Sequence, residues 1–577
     1  MSRKKAAERL IYLPLGGAGE IGMNAYVYGY GLPGKEKLIV VDLGVTFPDM
    51  DTTPGVDLIL PDIAWLKARR ADIEGIFITH AHEDHVGAIG HYWQSLGAPV
   101  YARAFTANIA RRKLAEHGLP DSVVTVVEPY PQVIECGPLK ISYVPISHSI
   151  PESAGLVIDT PVGRLIHSGD FKIDETPVVG DPFNRPLWEE VSKDGVKALI
   201  CDSTNVFSPL PGRSENTIGD AIAEMMSNAT GTVVATTFAS NIARLKTLAL
   251  AAKKANRSVV LLGRSMQRMV EAATQVGILS GFPPIVSPED ALNMPRNSIM
   301  LLVTGSQGER RAASAQLAQG KYLGLSLKDG DTFLFSSKTI PGNERGVIRI
   351  MNQLSELGVD VIDDAGGKYH VSGHANRPDL ATMHEIVKPE MLIPMHGEHR
   401  HLREHVKLGE QSGIKGIVAV NGMAVGGGFE IAMSADFIVA AEHAQFFLPE
   451  TRVGVLPDAG SIRLPRLLPR QLANEIIFGG RRLTADEAMC WGIVNKVAPS
   501  EELMNTARAL AAEICLSAPL SVAAVLDIMR VTEDLNITES YAATRKNEAY
   551  IKAINSQDAM EGPNAFAEKR DPVWKGK

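Results

Sequence analysis

The sequence predicts an α/β protein built from more than one domain. Three observations lead there. Short β runs follow one another closely over the first 200 residues, strand and helix patterns alternate between about 215 and 350, and the chain turns mainly helical after Gly416. At 577 residues the chain is several times the size of a typical domain of roughly 100–200 residues.

The elements follow in order. Leu10–Leu15, Ala25–Tyr30, Lys37–Asp42, Ile73–Thr79, Leu139–Val144, Gly155–Asp159 and Arg164–Ser168 are apolar or β-branched runs with turn or polar residues close behind, so they read as strands. Alanine-rich Arg103–His117 reads as a helix. Gly231–Thr237, Ser258–Leu262, Ser298–Thr304 and Thr332–Ser336 have the continuous apolar character of buried parallel strands, and Asn241–Ala255 and Ser265–Ile278 are the helices between them. From Lys368 the first style returns, with Leu392–Met395 a strand that ends at His396. Ile417–Gly428 is apolar and glycine-rich, and the remainder is helical with Gly479, Gly492 and Pro519 as punctuation. The predicted domains are 1–210, 211–360, 361–416, where the chain returns to the first domain, and 417–577.

Composition excludes several classes. A hydrophobic content of 45% with 21% charged residues rules out global disorder. No run approaches the ~18 apolar residues of a membrane span, and the basic Met1–Lys5 opening leads into an apolar stretch broken by Pro14, unlike a signal peptide. Cys136, Cys201, Cys490 and Cys515 are too scattered for a disulfide framework or a zinc ribbon, which points to a reducing cytoplasm. The net charge of −8 makes no polycation, so any nucleic acid must be held in a local groove.

The strongest chemical signal is Thr79-His80-Ala81-His82-Glu83-Asp84-His85, directly after an apolar strand. Three imidazoles and a carboxylate suit zinc or manganese. One short loop cannot surround an ion, so further ligands are expected at other strand ends: His148, Asp170 and His396. Gly17-Ala18-Gly19-Glu20-Ile21-Gly22 matches a dinucleotide fingerprint with Asp42 about twenty residues on. The fingerprint requires a helix next, and Asn24–Tyr28 is β-like, so a tight loop near the metals is expected instead.

His80, His82, Asp84, His85, His148, Asp170 and His396 together resemble the metallo-β-lactamase superfamily. The inserted α/β section, with Asp202, Val371-Ser372-Gly373-His374-Ala375 and Pro394-Met395-His396-Gly397-Glu398 around it, resembles its nucleic-acid branch, the β-CASP group. Gly16–Asn24, Cys201–Asn205, Thr237–Asn241, Thr304–Glu309 and Lys338–Glu344 make the chain from about 10 to 415 similar to the ribonuclease J family. The resemblance implies an αββα sandwich with an inserted β-CASP domain and hydrolysis of RNA phosphodiester bonds, exonucleolytic from the 5′ end, endonucleolytic or both. It implies two divalent ions, zinc with manganese or magnesium as alternatives. One is held by His80, His82 and His148, the other by Asp84, His85 and His396, and Asp170 bridges them. Water activated between the ions would attack phosphorus. Asp42 would orient a ligand, and Asp202 and His374 would flank the site, with Asp84, Asp202 and His374 as the catalytic set. Ser240, Asn241, Ser372, Gly373, His374 and Ala375 would cradle a 5′-monophosphate of single-stranded RNA, and Arg264, Arg268, Arg310, Arg311 and Lys338 could track its backbone. The remaining expectations are a homo-oligomer and no membrane partner. A small-ester hydrolase of the same superfamily would not need the inserted section.

Ala419–Glu430 and Leu448–Gly454 look like the crotonase (enoyl-CoA hydratase/isomerase) family, and Glu561–Pro563 with Phe566–Gly576 is similar to its carnitinyl-CoA dehydratases. There Glu430 and Glu450 would be paired acid and base, and the Gly427 N–H one of two donors to a thioester oxygen. The earlier part of that family is absent, so this is a partial crotonase-like α/β segment, expected to be inactive as a CoA-thioester hydratase. Ile414–Val418 could belong to either parent.

Overall fold

The computed structural model describes residues 8–48, 55–320, 322–340, 343–364, 367–411, 417–433, 435–454 and 456–576. Pro341 and Gly342 of the Lys338–Glu344 stretch, the opening Met1–Lys5 and junction residues 414–416 lie outside them. The chain forms two compact units, Met1–Lys415 and Gly416–Lys577.

The first unit contains two six-stranded mixed sheets. One runs in chain order through Arg9–Gly16, Ala25–Gly31, Lys37–Val41, Ile73–Phe77, Val100–Ala102 and Val124–Val126. The other has Leu392–Met395 at one edge, then Ala198–Asp202, Gly163–His167, Ala154–Thr160, Leu139–Pro145 and Ile134–Cys136. The strands alternate their side chains between faces, and the cores follow that period of two. Tyr26, Tyr28, Ile39, Val41 and Phe77 pack with Ile141, Tyr143, Leu156, Ile158, Ile200 and Met395 in one apolar layer between the sheets. The intervening residues face outward. Val40 and Ile76 lie in a core with Ile89, Phe105 and Leu114 from two helices. Val157, Ile166, Leu199 and Cys201 lie with Trp188, Leu380, Met383 and Leu408 from three others. The result is helix, sheet, sheet, helix.

A third sheet is parallel throughout, in the order Ser258–Leu262, Ile299–Val303, Val233–Thr236, Thr332–Phe335 and Asp360–Ile362. Its strands alternate between two cores, Val234, Leu301 and Phe333 on one face and Val233, Leu302 and Leu334 on the other. Arg244, on the helix Ile242–Lys254, ties this section to its surroundings. Fully buried, it donates twice to Glu215 (2.6 and 2.9 Å), to Ser336 O (2.7 Å) and to Val371 O (3.2 Å).

The second unit has the parallel strands Ile417–Val420, Phe437–Ala441 and Lys496–Ala498 and a smaller sheet of Met423–Val425, Gln445–Phe447 and Leu483–Thr484. Phe429, Phe446, Leu448, Leu464 and Ile476 form its own core. Among the described residues no single helix is long and apolar enough to cross a membrane.

Two predicted strands stop early for a reason that bears on the site. Lys37–Asp42 ends at Val41 because Asp42 takes a left-handed φ of 61°, and Ile73–Thr79 ends at Phe77. The glycine-rich loop does avoid a helix. Ala18–Gly19 instead pairs with Gly397–Glu398.

Candidate metal centre

Parallel pairing of Lys37–Val41 with Ile73–Phe77 brings Asp42 beside Thr79. The Asp42 carboxylate, fully buried, accepts hydrogen bonds from Thr79 N (2.8 Å), Thr79 Oγ1 (2.9 Å) and His85 Nδ1 (2.7 Å). Burial raises its pKa above the ordinary value against the pull of His85 and Thr79. The turn Glu83–Val86 is bolted down by its backbone, since Asn24 N donates to Asp84 O (2.9 Å) and Leu43 N to His85 O (2.8 Å). Gly44 makes this closure possible, because a Cβ there would stand 1.7 Å from the Asp84 carbonyl oxygen. His396 follows the strand Leu392–Met395, takes a φ of 52° and donates its N–H to Gly17 O at 2.6 Å.

The acceptors around the rings fix where their protons sit. His85 Nδ1 faces a carboxylate, and His148 Nδ1 faces the Gly373 carbonyl at 2.6 Å, so both must donate. The Thr79 hydroxyl donates to Asp42 and accepts from His80 Nδ1 at 3.0 Å. The Thr204 hydroxyl donates to Asp202 Oδ1 (2.8 Å) and accepts from His396 Nδ1 (2.7 Å). All four rings therefore turn Nε2 inward. His80 Nε2 and His148 Nε2 lie 3.0 and 3.2 Å from His82 Nδ1. One proton on His82 can serve only one of them, whereas a cation serves all three. Ligands set tetrahedrally about 2.0–2.1 Å from an ion stand roughly 3.3 Å apart, close to this spacing.

Asp170 Oδ2 is shared. It lies 3.2 Å from His85 Nε2, 3.4 Å from His396 Nε2, 3.9 Å from His80 Nε2 and 4.0 Å from His148 Nε2. Its other oxygen is buried without a hydrogen-bond partner. His396 Nε2 is 3.0 Å and His85 Nε2 3.7 Å from Asp84 Oδ2. His80, His82, His148 and Asp170 form one group whose ligand atoms lie within 4.8 Å of one another. Asp84, His85, Asp170 and His396 form a second. The residues fit two cations that share a carboxylate.

The electrostatics divide the same way. Burial keeps His80 and His148 neutral far below the usual imidazole range and pushes His82 down to about 4. Burial also opposes charge on His85 and His396, but the surrounding carboxylates, Asp170 first, outweigh it. They raise His85 well above its ordinary value and His396 to about 9. An imidazole-rich pocket thus adjoins a carboxylate-rich one.

His374 Nδ1 donates to Asp202 Oδ2 at 2.8 Å and stands 3.9 Å from Asp170, with its ring 22% exposed at the rim. Asp202 is no helix cap, because its Oδ1 accepts from Thr204 N at 2.9 Å in a local turn. The phosphate-cradle candidates are less uniform. The Ser372 hydroxyl takes bonds from Asn205 Nδ2 and His374 N, and Asn241 caps its own helix by accepting from Arg244 N. Ser240 lies beside it, half-buried. Gly373 serves through its carbonyl, and the Ala375 side chain is buried in the core. Of the basic residues, Arg264 and Arg268 line one cavity of about 370 Å³ with Ser265, Arg310 lines another of about 360 Å³ with Gln319, Arg349 and Gln353, and Arg311 and Lys338 are exposed and line neither.

Sequence reasoning missed Thr79, Thr204 and Asn24. Asn24 Nδ2 donates to Asp84 Oδ2 at 3.4 Å and lies 3.0 Å from His85 Nε2. Each sits inside or next to a stretch singled out for other reasons, and nothing in its type marked it as a partner of the ligands. In the second unit Glu430 Oε1 accepts from Gly460 N at 2.8 Å, Glu450 Oε2 is buried without a hydrogen-bond partner, and Gly427 opens a short helix.

Comparison with known proteins finds three families along the chain, the last of them beginning before the end of the first unit. Residues 19–230 match the metallo-beta-lactamase superfamily, 230–354 the ribonuclease J beta-CASP domain, and 390–577 the enoyl-CoA hydratase/isomerase family. A ribonuclease J from Sinorhizobium meliloti is 41% identical over 454 residues, covering 78% of this chain and 80% of that protein. Ribonuclease J 1 of Streptococcus pyogenes is 35% identical, covering 69% and 70%. The crystal structure of an enoyl-CoA hydratase from Mycobacterium marinum is 37% identical over 28% of this chain and 66% of that one, with a TM-score of 0.27.

Proposed function

The chain belongs to the ribonuclease J family, and on that premise we propose that it is a metal-dependent ribonuclease whose reaction is carried out at the His80–His396 cluster. The observation that carries this reading is the convergence of bare imidazole nitrogens on a carboxylate whose second oxygen is orphaned. His80, His82 and His148 would hold one ion, Asp84, His85 and His396 the other, and Asp170 would bridge them. Two such cations supply Lewis acidity toward phosphoryl oxygens and lower the pKa of water to about 7.

The chain's own groups supply orientation and proton handling. Asp42, Thr79, Gly373 and Thr204 lock the ring tautomers, so the ligands are preorganised before any ion arrives. Asp202 serves two residues. Through Thr204 it orients His396, and directly it orients His374. His374, held at Nδ1 and reaching the rim, is placed to contact the scissile phosphate or to protonate the leaving oxygen. Zinc fits the nitrogen-rich pocket best, with manganese or magnesium the alternative in the carboxylate-rich one. The preferred substrate is 5′-monophosphorylated single-stranded RNA, cut from the 5′ end, internally or both. The phosphate would sit near Ser240, Asn241 and Ser372–Ala375. A reducing cytoplasm and a homo-oligomer complete the proposal.

Incubating the purified chain with 5′-monophosphorylated and 5′-triphosphorylated RNA, each with and without chelator, tests this. Cleavage that is faster on the monophosphate, lost with chelator and restored by zinc or manganese is expected. Full activity in chelator overturns it.

The match of residues 390–577 favours a second reading, CoA-thioester chemistry through Gly427, Glu430 and Glu450. Losing one of two oxyanion donors costs about 10²–10³ in rate, so no turnover is expected from this chain alone.

A further inference from the structure

Outside the catalytic cluster, a third set of metal-type ligands lies in the apolar layer behind the second sheet. Cys201 comes from the strand Ala198–Asp202, His384 from the helix Arg377–Val387 and His405 from the helix His399–Gln411. All three are essentially inaccessible, at 0, 2 and 0% exposure, and their ligand atoms lie within 4.8 Å of one another. Their neighbours are Leu380, Met383 and Leu408, a place where two imidazoles and a thiol are unexpected on hydrophobic grounds alone.

The ring geometry repeats the pattern of the catalytic histidines. The Ser203 hydroxyl donates to Cys201 O (3.3 Å) and accepts from His405 Nδ1 (2.9 Å), which leaves His405 Nε2 bare and turned inward. His384 Nε2 stands 3.1 Å from it, with the ring planes 14° apart and the centroids at 5.1 Å. Two Nε2 atoms at this separation match adjacent ligands on one small ion, for which about 3.3 Å is expected. A hydroxyl that orients a ligand imidazole through its other nitrogen is the usual supporting arrangement.

We propose that Cys201, His384 and His405 form a structural site for one soft, thiophilic cation, separate from the two catalytic ions. Binding releases the Cys201 thiol proton to solvent and forms one metal–sulfur and two metal–nitrogen bonds. Soft thiolate ligation selects Cu⁺ or Zn²⁺. With one thiolate and two neutral imidazoles, Cu⁺ leaves no net charge in the core, whereas Zn²⁺ leaves one positive charge that is costly to bury. Such an ion would pin both helices to the strand end that carries Asp202 and Ser203, which gives it a structural part in the geometry of His374 and His396.

The test uses the full chain. After loading with zinc or with Cu⁺ and extensive dialysis, elemental analysis should find about three equivalents in the wild type, one beyond the two of a two-metal site. Cys201→Ser should fall to about two. Co²⁺ loading gives an independent readout, because neither catalytic group contains sulfur. A thiolate-to-cobalt absorption band in the wild type that disappears in Cys201→Ser places the ion on this cysteine. Retention of the third equivalent only after Cu⁺ loading identifies copper, and after zinc loading, zinc. If the folded wild type holds no third equivalent of either metal, the histidines are merely hydrogen-bonded to each other and the proposal is wrong. The wild-type measurement decides this even if Cys201→Ser fails to fold.

Discussion

Replacing Asp42 with asparagine isolates the work done by a residue that touches no ion. The native carboxylate meets three donors, Thr79 N at one oxygen and Thr79 Oγ1 and His85 Nδ1 at the other. An amide has one oxygen. If that oxygen stays with Thr79 N, its NH₂ faces His85 Nδ1, and His85 must move its proton to Nε2 to avoid two donors meeting. Nε2 is the atom 3.2 Å from Asp170, so the lone pair needed for an ion is lost. A hydrogen bond to a charged group contributes about 1.5–3 kcal/mol, equivalent to roughly 10–150-fold, and loss of such an orienting partner costs about 10–100-fold in metal affinity or activity. The expected result is a 10–100-fold weaker second ion, the one assigned to Asp84, His85 and His396. The His80–His82–His148 ion is affected less, through Thr79 alone. Competition with a chromophoric chelator would give both affinities, and RNA cleavage followed across a metal titration should recover partly at excess metal. Unchanged affinity for both ions in a folded Asp42→Asn protein refutes the argument, and so does an equal loss at both.

Three further outcomes are expected. His82→Ala removes the nitrogen on which His80 and His148 converge, so RNA cleavage should drop by at least the ~10³-fold scale of lost electrostatic stabilisation with an unchanged circular dichroism spectrum; retained cleavage would contradict the site. Glu215→Ala leaves the fully buried Arg244 guanidinium without its bidentate partner, and breaking such a pair should cost about 3–5 kcal/mol, read as a lower urea midpoint. Purified protein should show no hydration of crotonyl-CoA, and Glu430→Ala should cleave RNA like the wild type; measurable hydratase turnover would show that half an oxyanion hole suffices here.

The first unit was largely legible because strand patterns and ligand types are local signals. Apolar runs such as Leu392–Met395 became strands with the predicted limits, and His80–His85 followed one of them. Strand ends single out His148, Asp170 and His396 as candidates, but their grouping around two ions rests on resemblance, since no periodicity reports a contact across more than three hundred residues. What stayed hidden was the layer that holds the ligands. Thr79, Thr204 and the Gly373 carbonyl act through hydroxyls and backbone that any turn could carry. Asp42 and His396 take a left-handed φ that their residue types tolerate better than most but that type alone does not announce. Cysteine spacing alone gives Cys201 no metal signal, because the histidines whose ring nitrogens lie within 4.8 Å of its sulfur come 183 and 204 positions later on two helices.

Among the described residues, every ligand of the proposed catalytic cluster and every group found to orient one falls between Gly17 and His396, within the first unit. The second unit carries the glutamates proposed above for a different reaction. Glu430 already accepts the Gly460 N–H, and Glu450 keeps one oxygen buried without a hydrogen-bond partner. An acid–base pair at a thioester needs both carboxylates exchanging protons with substrate and two donors on one oxygen. More than half of the exposed large apolar side chains among the described residues nevertheless lie in this shorter unit, Phe478, Ile537 and Phe566 among them. Such surface governs association and solubility rather than catalysis. Changes in residues 416–577 should therefore alter how the protein behaves at high concentration before they alter how it cuts RNA, because the ligands proposed for the cluster all belong to the first unit.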